Sequence, residues 1–192
     1  TNDDARRDMG LLKIDHLRKL VQIPSVRSQI ESKEGKFDDE KYVRDIFGSF
    51  DTEIKKVLKD YCDPILGVRD VVNYLRTKEI KIGSTTGYTK EMMDIVLPIA
   101  KSKGYSPDFL VTSDQVPKGR PYPWMVFRNA EQLGLDELHK VVKVGDTVAD
   151  IREGISAGCW TVGILEGGSE VGLGVSERLK VKDDKFEQLK QK

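Results

Sequence analysis

The chain has 192 residues, 38% of them apolar and 33% charged, which is enough for one ordinary domain with a real core, or a core plus a small accessory unit. Lysine plus arginine and aspartate plus glutamate number 32 each, so no overall field marks a nucleic acid or an anionic membrane as partner, and any anion site has to be local. The longest apolar stretches, such as Ile95 to Ala100, fall far short of a bilayer span, and two distant cysteines, Cys62 and Cys159, suit a reducing cytoplasm and a packing role better than a disulfide framework.

The stretch Thr1 to Asp8 has neither a methionine nor an apolar targeting region and reads as an interior point of a longer chain. A helix is predicted over Met9 to Ile23, with Asp8 as cap, Leu12, Leu17, Leu20 and Val21 as its apolar stripe and Pro24 as its stop. Polar Ser25 to Lys36 is expected to be a loop. A second long helix follows Asp38 or Asp39, because Tyr42, Ile46, Phe50, Ile54, Leu58 and Tyr61 recur near helical spacing. After Asp63 and Pro64 helices and strands alternate: helix Gly67 to Thr77, strand Ile80 to Ser84, and a helix from Thr89 interrupted near Pro98. Then come strand Phe109 to Val111, helix Pro123 to Leu133, strand Val141 to Val144, helix Val148 to Ala157 and strand Trp160 to Leu165. The charged tail from Ser176 to Lys192 is expected at the periphery. This order predicts an α/β fold with a Rossmann-like parallel sheet preceded by a helical unit.

Ligands of open parallel sheets bind beyond the carboxyl ends of the strands. The first strand ends in Ser84, Thr85, Thr86, Gly87, the second in Thr112, Ser113, Asp114, and the third in Gly145, Asp146, Thr147, with Asp150 one helical turn on. Gly119, Arg120, Pro121, Tyr122, Pro123 stands between the second and third. The Thr86 hydroxyl and the N–H groups around Gly87 suit phosphoryl oxygens, and Arg120 supplies a fixed positive charge. Asp146 is an oxygen ligand of the kind magnesium prefers, and Asp150 is placed to bind as well or to orient a ligated water. Each motif alone reads as a turn or a cap. Consecutive strand ends with complementary chemistry are more specific than any of them.

These residues resemble the second, third and fourth signature motifs of the haloacid dehalogenase superfamily: Thr86, then Arg120, then Asp146 with Asp150. Met-Gly-Leu-Leu-Lys-Ile-Asp-His at Met9 to His16, Ile-Gly-Ser-Thr-Thr-Gly-Tyr-Thr at Ile82 to Thr89, and Gly-Arg-Pro-Tyr-Pro-Trp at Gly119 to Trp124 look specifically like the phosphonoacetaldehyde hydrolase family. The resemblance runs from about Asp8 to Leu173. It implies a haloacid dehalogenase-type core over residues 62–192 and a mobile helical cap over residues 8–61. It further implies magnesium as cofactor, a small phosphonate as substrate and a homodimer in the cytoplasm. By motif match Lys13 forms a Schiff base with the substrate aldehyde, while Met9, His16, Tyr88 and Gly87 line the substrate pocket. Met9, Lys13 and His16 are expected on one helix face.

Cleaving a carbon–phosphorus bond leaves electrons on carbon, and a protonated imine formed by Lys13 is the electron sink that makes such a leaving group acceptable. The amine must be uncharged to attack, so it has to be desolvated or placed near another cation; Arg120, His16 and a bound metal are the candidates. His139, in a connector before a strand, receives no role. The resemblance also implies a first motif, a strand ending in a nucleophilic aspartate that binds metal, and no such strand precedes Thr1. A fragment of a longer enzyme is the expectation, against a strand supplied by another chain or a degenerate relative. Two rival functions are a phosphate-ester phosphatase of the same superfamily, for which Lys13 is irrelevant, and a silent domain that binds phosphonate or phosphate.

Overall fold

The structure, a computed structural model, describes residues 1–165 together with Gly168 and Ser169. The charged tail predicted from Ser176 lies outside the described residues. The first elements are α1 (Asn2–Arg6) and α2 (Lys13–Val21), and between them the chain runs through turns rather than helix. The helix predicted from Met9 therefore begins four residues later, capped by the Leu12 backbone and not by Asp8. Gly10, at φ +88°, breaks it, since only glycine takes that conformation without strain.

Pro24 does not end the helical region but starts α3 (Pro24–Glu34), so the loop expected over 25–36 is mostly helix. A proline at the first helical position gives up an N–H that would have no partner there anyway. No residue of α3 is buried, so its helicity left no apolar stripe to read; Arg27 steadies it through Glu31 and Asp39. Next comes α4 (Asp39–Val57), whose first turn is capped by the Asp38 carboxylate accepting the Lys41 N–H. It packs on α2, burying Val21 and Val43, with Arg18 bridging the two through Glu40.

After a 3-10 turn at Leu58–Tyr61 come α5 (Val68–Thr77), β1 (Gly83–Thr86), α6 (Lys90–Ser102), β2 (Phe109–Thr112) and α7 (Trp124–Leu133). They are followed by β3 (Val142–Gly145), α8 (Val148–Ala157) and β4 (Trp160–Gly163). The alternation matches the sequence reading, with two adjustments. The first strand lies closer to Thr86 than predicted, and α6 continues through Pro98, anchored on either side by buried Met92 and Ala100.

Among the described residues all strand pairing is parallel, but it falls into two separate pairs, β1 with β2 (Thr86 opposite Thr112) and β3 with β4 (Gly145 opposite Gly163). Among the described residues β1 and β3 do not pair with each other. The pairs are joined by α7, which covers β1 and β2, packing against α8, which covers β3 and β4. Met92, Val111 and Met125 are almost wholly buried around β2, each worth about 1.5–3 kcal/mol of burial free energy. In the other pair Lys143 and Thr161 lie against Gly154 of α8, so the opposite face turns Val142, Val144, Trp160 and Val162 outward. Both cysteines are free; Cys62 is buried with its thiol donating to the Leu58 carbonyl, and Cys159 is half-buried.

Candidate active site

Both strand pairs run parallel, so their carboxyl ends, carrying Thr86, Thr112 and Gly145, point the same way within each pair. The turn between α1 and α2 is laid over those ends. The Leu11 carbonyl oxygen stands where a Cβ on Gly87 would meet it at 2.5 Å, and a Cβ on Gly10 would collide with Thr147 Oγ1. Both glycines are thus required by close approach, one in each partner, and Gly10 also by its backbone conformation. This wedge sets Lys13, the first residue of α2, above the loop that follows β1.

The Lys13 ammonium lies 5.3 Å from the centre of the Tyr88 ring. Burial lowers its pKa, and the nearby charge of Arg120 lowers it further, which favours the neutral amine. Buried His16, one turn on, is also held below the ordinary histidine range, by burial first and then by Lys13, against opposing effects of Asp8 and the Ala5 backbone. Its Nε2 has no hydrogen-bond partner among the described residues. Met9 is half-buried in the turn before α2, not on the helix face expected to carry it with Lys13 and His16. Burial raises the Tyr88 phenol, with Cys62 adding to the effect, so it stays protonated as a hydrogen-bond donor.

In the loop after β1, Thr86 Oγ1 accepts the Tyr88 N–H at 3.1 Å, which leaves the hydroxyl hydrogen available to an acceptor. Arg120, only 9% exposed, reaches back between the two strand pairs. Its Nη2 donates to the carbonyl oxygen and hydroxyl of Thr85 at 2.6 and 2.9 Å and lies 3.0 Å from Asp150 Oδ1, while Nε donates to Glu153 Oε2 at 3.2 Å.

The two acidic residues of the Gly-Asp-Thr-Val-Ala-Asp run differ sharply. Asp146, after β3, accepts the N–H and hydroxyl of Ser169 on one oxygen, Oδ2, at 2.8 and 2.7 Å, and pairs with no cation among the described residues. Asp150 is buried, and it is engaged by Thr147, Lys143 and Arg120. Burial acts to raise the Asp150 carboxyl, but the charges of Arg120 and Lys143 outweigh it and hold the group below the ordinary aspartate range. No group of three or more His, Cys, Asp and Glu side chains converges among the described residues. Magnesium takes six oxygens, usually one or two carboxylates with waters and phosphate, so Asp146 fits it as one ligand and the described residues do not complete the shell.

Two buried residues of this region escaped the sequence reading, Lys143 and Glu153, and half-buried Thr85 was read there only as part of a strand end. Glu153 lies three residues after Asp150 and so on the same face of α8, a spacing that was legible. Lys143 was hidden by its neighbours, since Val-Lys-Val read by alternation points the valines inward, and the strand does the opposite.

A parallel strand-and-helix core whose strand ends gather a hydroxyl, an arginine and acidic residues beneath a helical segment defines a hydrolase of the haloacid dehalogenase type. The chain belongs to the haloacid dehalogenase-like hydrolases, matching that family over residues 3–158. Its similarity within the family is to phosphonoacetaldehyde hydrolases. It is 53% identical over 173 residues to the phosphonoacetaldehyde hydrolase of Bacillus cytotoxicus, covering 90% of this chain and 66% of that protein. It is 49% identical over 177 residues to one from Bacillus cereus, covering 92% and 67%. The chain thus spans about two thirds of the length of the curated relatives it matches. Among solved structures, a phosphonoacetaldehyde hydrolase-like protein from Oleispira antarctica superposes with a TM-score of 0.91 at 31% identity, over 100% of this chain and 69% of that one.

Proposed function

We propose that this chain carries the greater part of a phosphonoacetaldehyde hydrolase, which uses water to split the carbon–phosphorus bond of phosphonoacetaldehyde into acetaldehyde and phosphate. The observation that carries this reading is the Lys13 amine, half-buried, lowered in pKa by desolvation and by Arg120, and seated over the loop after β1. The similarity to phosphonoacetaldehyde hydrolases supports it independently.

In this reading the neutral Lys13 amine adds to the aldehyde carbon and loses water to give a protonated imine. Thr86, the Gly87 backbone and Arg120 hold the phosphoryl oxygens, and Met9, His16 and Tyr88 line the aldehyde end. When a carboxylate attacks phosphorus, the electrons of the carbon–phosphorus bond pass into the imine and leave a neutral enamine. Protonation at carbon and addition of water then release acetaldehyde and restore the amine, and a further water hydrolyses the phosphorylated carboxylate to free phosphate. Asp146 would hold magnesium with Asp150 beside it, and that ion, when bound, neutralises phosphoryl charge.

The attacking carboxylate belongs to a strand preceding Thr1, and the separation of β1 from β3, together with the greater length of the relatives, supports a place for that strand. Residues 8–61 then form a helical cap and residues 62–192 the core, in a cytoplasmic homodimer. Borohydride trapping of labelled phosphonoacetaldehyde, read by peptide mass, tests the reading: the adduct is expected on Lys13 and lost in Lys13→Ala. Hydrolysis of phosphate esters with no adduct would replace it by the phosphatase reading. Restoring the leading segment should give acetaldehyde release; a folded, metal-loaded protein that stays silent would be a binding domain.

A further inference from the structure

Four charged side chains, Arg120, Lys143, Asp150 and Glu153, are buried together between the two strand pairs, and the scheme above gives no task to Lys143 or Glu153. Glu153 is wholly inaccessible. Its Oε2 accepts from Arg120 Nε at 3.2 Å and from the Thr85 hydroxyl at 3.0 Å, and lies 3.3 Å from Lys143 Nζ. The Thr85 hydroxyl in turn accepts from Arg120 Nη2 at 2.9 Å, closing a ring of three residues drawn from β1, α8 and the segment before α7. Arg120 Nη1 makes no hydrogen bond among the described residues, so Glu153 occupies Nε, Thr85 and Asp150 share Nη2, and one end of the guanidinium is left.

A carboxylate buried this deeply is costly unless its geometry serves a purpose, because an apolar side chain of similar size would fill the place more stably. The guanidinium is planar and forked, so fixing two of its nitrogens fixes the direction of the third. We propose that Glu153, with Thr85, is the positioning residue for Arg120, holding Nε and Nη2 inward so that Nη1 is presented to the phosphoryl group of the substrate. The inference rests on the phosphoryl-binding role given to Arg120 under the proposed function, but not on the Schiff base.

The test has opposite signs for the alternatives. Glu153→Gln removes a negative charge from beneath the anion site, so electrostatics alone would tighten phosphate binding, whereas loss of positioning weakens it. Titration of the 192-residue chain with inorganic phosphate by calorimetry should show about a tenfold rise in Kd for Glu153→Gln, the effect of losing one charge-assisted hydrogen bond. Glu153→Asp should recover part of the affinity. An unchanged or lower Kd in folded Glu153→Gln overturns the proposal, and so does native chain that binds no phosphate. If circular dichroism shows Glu153→Gln unfolded, Thr85→Val decides by the same criterion, since it removes the bridging hydroxyl and no charge.

Lys13 provides the arm that separates positioning from general damage. Trapping of phosphonoacetaldehyde should weaken more in Glu153→Gln than trapping of acetaldehyde, which has no phosphoryl group and feels Arg120 only through the Lys13 amine; equal losses with both aldehydes overturn the proposal. If neither aldehyde traps on native Lys13, the Schiff-base reading fails, and the phosphate titration still decides the role of Glu153.

Discussion

Lys143→Met should be among the most destabilising single changes in the β3–β4 half of the molecule. In the native cluster two cations, Arg120 and Lys143, balance two carboxylates, Asp150 and Glu153, and none of the four side chains is more than 10% exposed. Methionine keeps most of the volume but leaves one uncompensated negative charge in the interior. At the 3.3 Å between Lys143 Nζ and Glu153 Oε2, the attraction in a medium of effective dielectric about 20 is roughly 5 kcal/mol before desolvation is counted. After the lysine's own desolvation is returned, breaking such a buried pair costs about 3–5 kcal/mol. With a urea slope of about 2 kcal/mol per molar, the unfolding midpoint should fall by roughly 1.5–2.5 M. Urea titration followed by circular dichroism at neutral pH measures it. The double variant Lys143→Met with Glu153→Gln restores the charge balance, and its midpoint should lie above that of Lys143→Met alone. A single variant that costs less than about 1 kcal/mol, or a double variant weaker than the single, would refute the cluster as a balanced buried network.

Borohydride trapping of acetaldehyde on Lys13 follows the neutral amine, so its rate should reach half-maximum at a pH below that of an exposed lysine, and Arg120→Ala, which removes a repelling cation, should move that midpoint upward. Asp150→Asn should act on the acid side. Because the folded state holds this carboxyl below its unfolded value, the group contributes stability above the ordinary aspartate range and loses it as pH falls through the folded pKa, so the variant should flatten the acid limb of urea midpoints; an unaltered limb counts against the assignment. At neutral pH the same variant leaves Arg120 and Lys143 short of a counter-charge and should cost about 3 kcal/mol, read from the same titrations. Gly10→Ala meets both a left-handed backbone and Thr147 Oγ1, so it should cost about 1–3 kcal/mol and slow trapping at Lys13; native trapping would show that the wedge does not seat the lysine.

Much of the architecture could be read from the chain because burial imposes a period. The stripe of α4 and the alternation after Asp63, α7 included, gave elements of the right type within a few residues. Where period was absent the reading went astray: α3 buries no residue, and its opening proline signals a start as readily as a stop. The break at Gly10 was visible as a glycine, but its cause, the approach of Thr147, is a long-range contact that no local pattern encodes. The motif residues Thr86, Gly87 and Asp146 stand just at or after strand ends, as the strand-end reading expected, with Arg120 reaching them from the segment before α7. The supporting ring of Thr85 and Glu153 was not legible, because a buried polar residue resembles an exposed one until its partners are known.

The depressed pKa of Lys13 is a property of the docked turn rather than of the lysine's own sequence neighbours. Asp15, two residues on, spends its carboxylate on Arg18, and His16 is lowered by Lys13 in return. Burial and Arg120, the two causes that lower the amine, both depend on the seat formed where Gly10 and Leu11 meet Thr147 and Gly87. Amine reactivity and contact with the strand-end loops are therefore one structural state. An isolated α1–α4 segment would expose the same lysine to water and to no Arg120, and both causes that lower its pKa would be lost. The lowering of the Lys13 pKa thus arises only where the turn meets the strand-end loops, which is the arrangement that the proposed Schiff base requires.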